Sequence, residues 1–387
     1  MPSTSSGNRV AELVEATRSV GETSPLLLYL DIMKKPNLQF DSPLPGRLGL
    51  NPAVNLLSRL YRTAVKTHQH IYDTFPSLSH KLSRPVISIG GIRAGGTGKT
   101  PVSQLVGEHL ISQGFNIAFL SRGYGRPIKK PVIVKPQETA DWELTGDEPC
   151  MIHRNLPQSW LGIGVNRIAN AKKLIDELPQ KSVFILDDGF QHQKIKRDLD
   201  IVCLSEKTLS DRMIPAGFLR EPVCALKRAD LLFIIGDLSN LDKMREIKNE
   251  LERRFGTKKC MILLQEPLHW VEGKTGRTSE NMPLKNPLAV CAIARPERFT
   301  DMLKIFSIEP CGALCFKDHH IFKRNDFAHR LQDVYSRGIV TTEKDYIRLQ
   351  AVEFAPAPEI WYLKIGLRFA DEDSREQFES KIDKLIN

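Results

Sequence analysis

The segment 92–101, IRAGGTGKTP, stands between a short apolar run, 85–90, and a stretch of helical spacing, 99–113. A glycine-rich loop held between a strand and a helix admits few folds, and the commonest is a parallel α/β sheet with an anion at the loop. Gly95, Gly96 and Gly98 let the backbone curl so that its N–H groups face a polyphosphate, aided by the positive end of the following helix. Lys99 is placed to reach the β- and γ-phosphates, and the Thr100 hydroxyl to ligate Mg²⁺. One position departs from the pattern G-x-x-x-x-G-K-[ST]: Arg93 stands where its first glycine would be. An accidental Gly-Lys-Thr in a turn would not explain the flanking strand and helix. The loop Arg93, Ala94, Gly95, Gly96, Thr97, Gly98, Lys99 and Thr100 therefore reads as a nucleotide site.

From residue 84 onward the chain alternates strands and helices. Apolar runs at 116–120, 160–164, 183–186, 201–204 and 231–235 predict strands, and 167–178 and 242–254 predict helices. Such alternation implies a parallel sheet covered on both faces. Two short strands, 260–264 and 269–272, read as a connector. A smaller series follows, with strands at 288–293, 313–316, 339–341 and 360–365 and helices at 326–337 and 374–386. At 387 residues, two domains are expected. The division is a lead-in over 1–83, a phosphate-loop domain over 84–258, a two-strand linker over 259–285 and a smaller α/β domain over 286–387.

Residues 1–50 read as a loosely ordered lead-in, with Pro and Gly punctuation from Ser42 to Gly49. Residues 51–80 read as mostly helical, with Pro76 ending or kinking the helix. Apolar Val54, Leu57, Leu60, Tyr61, Val65 and Ile71 alternate there with basic Arg59, Arg62 and Lys66, with Lys81 just beyond. Two readings stay open: a helix packed on the next domain, or a basic amphipathic helix on a membrane surface. A net charge of +9 favours an anionic partner. No apolar run reaches the ~18 residues of a spanning helix, and no secretory signal is seen, so a cytoplasmic chain is expected. Seven scattered cysteines with no CxxC pair suit a reducing compartment, and Cys311 and Cys315 read as buried thiols.

The second chemical motif is LDDGFQH, residues 186–192, directly after a strand. Carboxylates at the carboxyl end of a parallel strand lie where such sheets bind ligands. Asp187 and Asp188 repel each other, so a bound cation gives the pair a physical reason. An Asp-Gly turn is the bland alternative. Arg122 and Arg126 of SRGYGR suit anions, while the acids of GDEP (146–149) have helix capping as their plain explanation. Arg220 and Glu221 of IPAGFLREP have a surface salt bridge as theirs. His319 and His320 of FKDHH suit acid–base work better than zinc, since adjacent histidines point apart and no third ligand is near. TTEKD, 341–345, reads as a capping box.

Taken in order, IRAGGTGKTP, SRGYGR, GDEP, LDDGFQH, IPAGFLREP, AIARPERF, DHH and TTEKD resemble the tetraacyldisaccharide 4'-kinase (lipid A 4'-kinase) family, from Arg84 to the C-terminus. The resemblance implies two α/β domains joined by a two-strand linker. It also implies transfer of the ATP γ-phosphate to the 4'-hydroxyl of a tetraacylated glucosamine disaccharide 1-phosphate in lipopolysaccharide synthesis. The place implied is the cytoplasmic face of the bacterial inner membrane, with the chain peripheral to an anionic surface and monomeric. By position, Lys99 and Thr100 would serve the triphosphate and Mg²⁺, and Asp187, Asp188 and Glu221 would lie near the metal and phosphates. Thr100, Asp188 and Glu221 are the implied metal ligands, and Arg220 and His192 would line the transfer region. Asp147 would be the base, paired with His319 or His320, of which His319 is favoured. Arg93, Ala292 at the start of AIARPERF, and the long lead-in depart from the family pattern.

Two other functions compete. A phosphate-loop kinase or ligase acting on a small soluble substrate would need no basic amphipathic helix. A nucleotide switch would need a base-reading signature, and neither an Asn-Lys-x-Asp motif nor RNA-binding aromatic motifs occur, so no nucleic-acid partner is expected.

Overall fold

The computed structural model describes residues 52–255, 260–294 and 296–386; the readings made on 1–51 and on Arg295 lie outside them. The first element among the described residues is α1 (Pro52–Thr74), closed by a 3₁₀ turn at Pro76–Leu78. Proline lacks the N–H that a further helical turn needs, so Pro76 ends the helix rather than kinking it. Then come β1 (Val86–Gly90), α2 (Lys99–Ser112), β2 (Asn116–Ser121), β3 (Val132–Val134), α3 (Trp142–Thr145), α4 (Asp147–Asn155) and β4 (Trp160–Ile163). Next are α5 (Arg167–Ile175), β5 (Ser182–Asp187), β6 (Leu199–Leu204), β7 (Leu231–Gly236), α6 (Leu241–Phe255) and β8 (Cys260–Glu272). The rest comprises β9 (Thr278–Ser279), β10 (Leu288–Cys291), α7 (Pro296–Ile305), β11 (Gly312–Cys315), α8 (Leu331–Arg337), β12 (Ile339–Thr342), α9 (Glu343–Leu349), β13 (Ile360–Phe369) and α10 (Glu372–Ile386).

All the strands belong to one mostly parallel α/β sheet, ordered β11-β10-β12-β13-β8-β7-β6-β1-β5-β2-β4-β3, with β9 beside β8. β1 lies between β5 and β6, with Ile89 opposite Asp187. Alternate residues feed different cores. Ile87, Ile89, Val183 and Ile185 meet Val102, Val106 and Leu110 of α2 on one face. Val86, Phe184 and Leu186 meet Ala171 and Leu174 of α5 on the other. Burial on both faces explains why these strands read as unbroken apolar runs.

The two short connector strands expected at 260–264 and 269–272 are one strand, β8, and its partner is β13, which runs past the expected 360–365. The proline between them, Pro267, disguised the continuity. Parallel pairing with β7 stops at Leu264, so beyond it that edge of β8 is free of β7 and a missing N–H costs little. The β13 pairing shifts register between Lys364 and Ile365, opposite Pro267. The helix expected over 326–337 is split into a 3₁₀ turn, Arg324–Arg330, and α8. Helix α7 had no counterpart in the sequence reading, although Pro296 at its first position is a start signal. All seven cysteines are free thiols, but Cys315 is exposed and Cys311 half-buried, against the expectation of two buried thiols.

Helix α10 closes the chain on the first half of the sheet, far along the sequence from it. Phe378 and Ile382 enter the same core as Ile87 and Val106. The Phe378 ring lies 5.8 Å from Phe233 and 5.4 Å from Phe369, and His109 Nε2 lies 3.1 Å from Asp383 Oδ1. Phe378→Ala should therefore cost about 3–5 kcal/mol of unfolding free energy by denaturant titration. A loss below about 1 kcal/mol would show that α10 is not part of that core.

Candidate active site

The phosphate loop leaves the end of β1, where the chain passes close to the turn after β5. A Cβ on Gly90 would sit 2.5 Å from the Phe190 Cβ, so no larger residue fits this approach. Gly98, at φ 80°, is the residue before α2 and turns the loop into the helix. The crest, Gly95 and Gly96, is exposed, while Thr97 is buried. Arg93 is buried and committed elsewhere: its Nε donates to Asp211 Oδ2 at 2.7 Å, and its guanidinium lies 4.8 Å from the Phe218 ring centroid. The Ala94 N–H donates to Phe218 O at 2.8 Å, and the Arg220 N–H to Ile92 O at 2.7 Å. The arginine that replaces the pattern's first glycine thus fastens the loop to the segment 211–221.

That segment delivers Arg220 to the aspartate pair. Arg220 Nη1 donates to Asp188 Oδ2 at 2.7 Å, and Lys99 Nζ lies 3.5 Å from Asp188 Oδ1. Burial alone would raise the Asp188 pKa, but Lys99, Arg220 and Arg167 hold it well below the usual carboxylate range. Asp187 behaves oppositely. Burial, with Glu148 and Asp188 nearby, pushes it up to about 6, against the hydrogen bond from Ser121 Oγ at 2.9 Å and the charge of Arg167. Asp188 sits at φ 46°, a strained setting for a non-glycine residue and one common at functional sites. The pair is more than a turn.

Arg220 and Glu221 do not pair with each other, so the surface salt-bridge explanation fails. Glu221, expected to ligate the metal, is buried with its carboxylate engaged by Arg228 at 2.8 Å and Gln191 at 2.7 Å. Gln191 also donates to Gly91 O at 3.0 Å, so in this arrangement Glu221 braces the base of the loop. His192 is half-buried beside Arg167, and burial with the charges of Arg167, Lys194 and Arg197 lowers it to about 4, so it is neutral near pH 7. Of the two SRGYGR guanidiniums, Arg122 is exposed. Arg126 is spent on the carbonyls of Lys129, Lys130 and Leu144 and is structural.

A second cluster joins the two halves of the sheet. Asp147, the first residue of α4, is buried, and its Oδ2 lies 2.9 Å from His319 Nδ1, on the loop after β11. His320 turns away to Asp326, 2.9 Å from its Nε2, and stacks on Phe316. Around Asp147 Oδ2 also stand Arg348 Nε at 3.7 Å and Lys344 Nζ at 4.0 Å. Burial would raise the Asp147 pKa, but the hydrogen bond from His319 and the charges of Lys344, His319 and Arg348 hold it well below the usual range. Burial lowers His319, yet Asp147 raises it further, for a net upward shift. His319 adopts φ 60°, the second strained non-glycine position at the site.

A family model described as tetraacyldisaccharide-1-P 4'-kinase matches residues 50–387. The chain belongs to this family. A tetraacyldisaccharide 4'-kinase of Koribacter versatilis is 32% identical over 333 residues, 83% of this chain and 96% of that protein. One from Chlorobium limicola is 31% identical over 350 residues, 87% of this chain and 98% of that one. Among solved structures, LpxK from Aquifex aeolicus in complex with ATP superposes with a TM-score of 0.72 at 27% identity, covering 87% of this chain and 99% of that one.

Several residues of this 4'-kinase site escaped the sequence reading. Lys344 and Arg348 were hidden in TTEKD and just after it, where the capping explanation is true but incomplete: the Thr342 side chain accepts from the Asp345 N–H. Ser121, in SRGYGR, and Asp211 act on Asp187 and Arg93, far off in sequence, while Arg228 acts on nearby Glu221 with no motif to mark it. In a tetraacyldisaccharide 4'-kinase of this geometry, Lys99→Ala should lower kcat by about 10²–10³-fold, since Lys99 follows the glycine loop and lies 3.5 Å from Asp188 Oδ1. Turnover assays beside thermal melts check this. A folded variant with normal turnover would remove Lys99 from the site.

Proposed function

We propose that Asp147, oriented by His319, is the base in transfer of the ATP γ-phosphate to the 4'-hydroxyl of a tetraacylated glucosamine disaccharide 1-phosphate. The supporting observation is the 2.9 Å contact between Asp147 and His319 from opposite halves of the sheet. Glu148, next in the chain, is near enough to Asp187 to raise its pKa, which supports a place for the pair near the aspartates. A sugar hydroxyl is a weak nucleophile. As its oxygen bonds to phosphorus, its proton passes to Asp147 and the bond to the β-phosphate oxygen breaks, leaving that electron pair on ADP.

The loop Ala94–Thr100 holds the triphosphate, with Lys99 toward its outer phosphates and Arg220 beside them. The oxygens present fit Mg²⁺: Asp188 Oδ1 is buried and met by Lys99 Nζ only at a loose 3.5 Å, and Asp187 is pushed up by burial and its acidic neighbours. Thr100 and Asp188 would hold the ion, and Mg²⁺ would supply charge neutralisation at the phosphates.

Helix α1 supports attachment to an anionic bilayer at the cytoplasmic face of the bacterial inner membrane. Ser58 Oγ donates to Met213 O at 2.9 Å and Val54 is buried, so the helix packs on the body of the protein. Leu56, Leu60, Ile71 and Phe75 nevertheless remain exposed along one stripe, with Arg59, Arg62 and Lys66 exposed as well. Both readings of this segment thus describe part of it. No helix among the described residues is long and apolar enough to cross a membrane. A small soluble acceptor would give this stripe nothing to do.

Two measurements test this function. With ATP and lipid disaccharide, Asp147→Ala and His319→Ala should each lower kcat far more than they raise KM for ATP, and the double variant should lose little more than the worse single one. Fully multiplicative losses would separate the two residues. Changing Arg59, Arg62 and Lys66 together to Ala should weaken sedimentation with anionic vesicles by about 3 kcal/mol, at about 1 kcal/mol per basic residue. Equal sedimentation at low salt would leave α1 as a packing element alone.

A further inference from the structure

Lys344 is the hub of the charges around the proposed base. Its Nζ lies 3.2 Å from Glu148 Oε1, 3.4 Å from Asp318 Oδ1, 3.3 Å from His319 Nε2 and 4.0 Å from Asp147 Oδ2. Glu148 and Asp147 come from α4, Asp318 and His319 from the loop after β11, and Lys344 itself from α9. Arg348, one turn on along α9, faces the same carboxylate at 3.7 Å, and the Tyr124 ring lies 5.8 Å from His319. An ammonium carries three donors and no acceptor. Its approach to Nε2 therefore makes that nitrogen the acceptor, so the ring proton sits on Nδ1 and is donated to Asp147 Oδ2.

We propose that Lys344 is a positioning residue for the Asp147–His319 pair: its ammonium fixes His319 as the Nδ1–H tautomer and keeps the pair's proton-accepting form populated. This rests on the reading of that pair as the acid–base unit. Lys344 suits the task because it stays charged. Burial alone would lower its pKa, but Glu148, Asp147 and Asp318 hold it well above the usual lysine range. The signs follow directly. Lys344 lowers both the Asp147 and the His319 pKa, so its removal raises both. The pair, which titrates as a unit, then protonates at higher pH. A residue that merely packed would leave that titration in place.

The test is the pH dependence of kcat/KM for the lipid disaccharide in the full chain, for wild type and for Lys344→Met, Lys344→Gln, Lys344→Arg and His319→Ala. Loss of a unit charge 3–4 Å away should move the acidic limb of Lys344→Met and Lys344→Gln up by about one pH unit or more. Activity should recover above the new limb, and Lys344→Arg should keep the limb within about 0.3 unit of wild type. A loss equal at every pH, with the limb unmoved, would overturn the proposal. If the limb persists in His319→Ala, the acid–base reading of the pair fails instead. A second readout needs no variant: nitrogen NMR of wild-type histidine above the limb should show the His319 Nε2 unprotonated and Nδ1 protonated. An Nε2–H tautomer there would overturn the proposal however the variants fold.

Discussion

The antiparallel pairing of β8 with β13 holds the two halves of this enzyme in one frame. β8 pairs with β7 through Leu264, and β13 pairs with β12 through Leu363, while the two strands pair with each other from Leu263 to Glu272. The ladder hydrogen bonds are shared by both halves, so neither can turn freely on a flexible tether. That frame brings α9 and the loop after β11 against α4. Asp147 thereby meets His319, Lys344 and Arg348 although 172 residues separate it from its histidine. The interface is reinforced by Arg154, whose guanidinium lies 4.8 Å from the Tyr346 ring centroid and donates to Gly273 O, and by Asn155 bonded to Glu343. These contacts help hold the Asp147–His319 contact in place.

Charge is graded across the site. Asp188 is kept anionic by Lys99 and Arg220, Asp187 next to it is pushed toward neutrality, and Asp147 is again kept anionic by His319, Lys344 and Arg348. Three carboxylates in one region thus have three environments, which is how a protein separates the tasks of chemically identical groups. The weak member, Asp187, marks where positive charge is short.

Much of the nucleotide half was legible because its signals are local. A strand, three glycines, a lysine and a helix follow within a few residues, and the register of β5 beside β1 puts Asp187 and Asp188 at the loop. Other readings needed correction where local and distant explanations coincide. Thr342 does cap α9, and that true but partial account concealed Lys344. Arg220 and Glu221 are sequence neighbours that bind different partners, Asp188 for the first and Arg228 with Gln191 for the second. Pro267 falls between the two strands expected there, yet it lies past Leu264, where β8 has already parted from β7.

By itself the sequence determined the class of sheet, the nucleotide loop with its aspartate pair, and, through the order of its motifs, the family. These rest on periodicity and on groups close together in the chain, where the backbone leaves few alternatives. Only the tertiary structure decided that β8 is one strand, that Arg93 clamps the loop to Asp211, that His319 rather than His320 faces Asp147, and that a half-buried lysine stands beside that pair. Each of those depends on which surfaces meet when distant segments pack. The free energy of such contacts comes from burial and charge pairing shared by both partners, so neither partner's own stretch of sequence contains it.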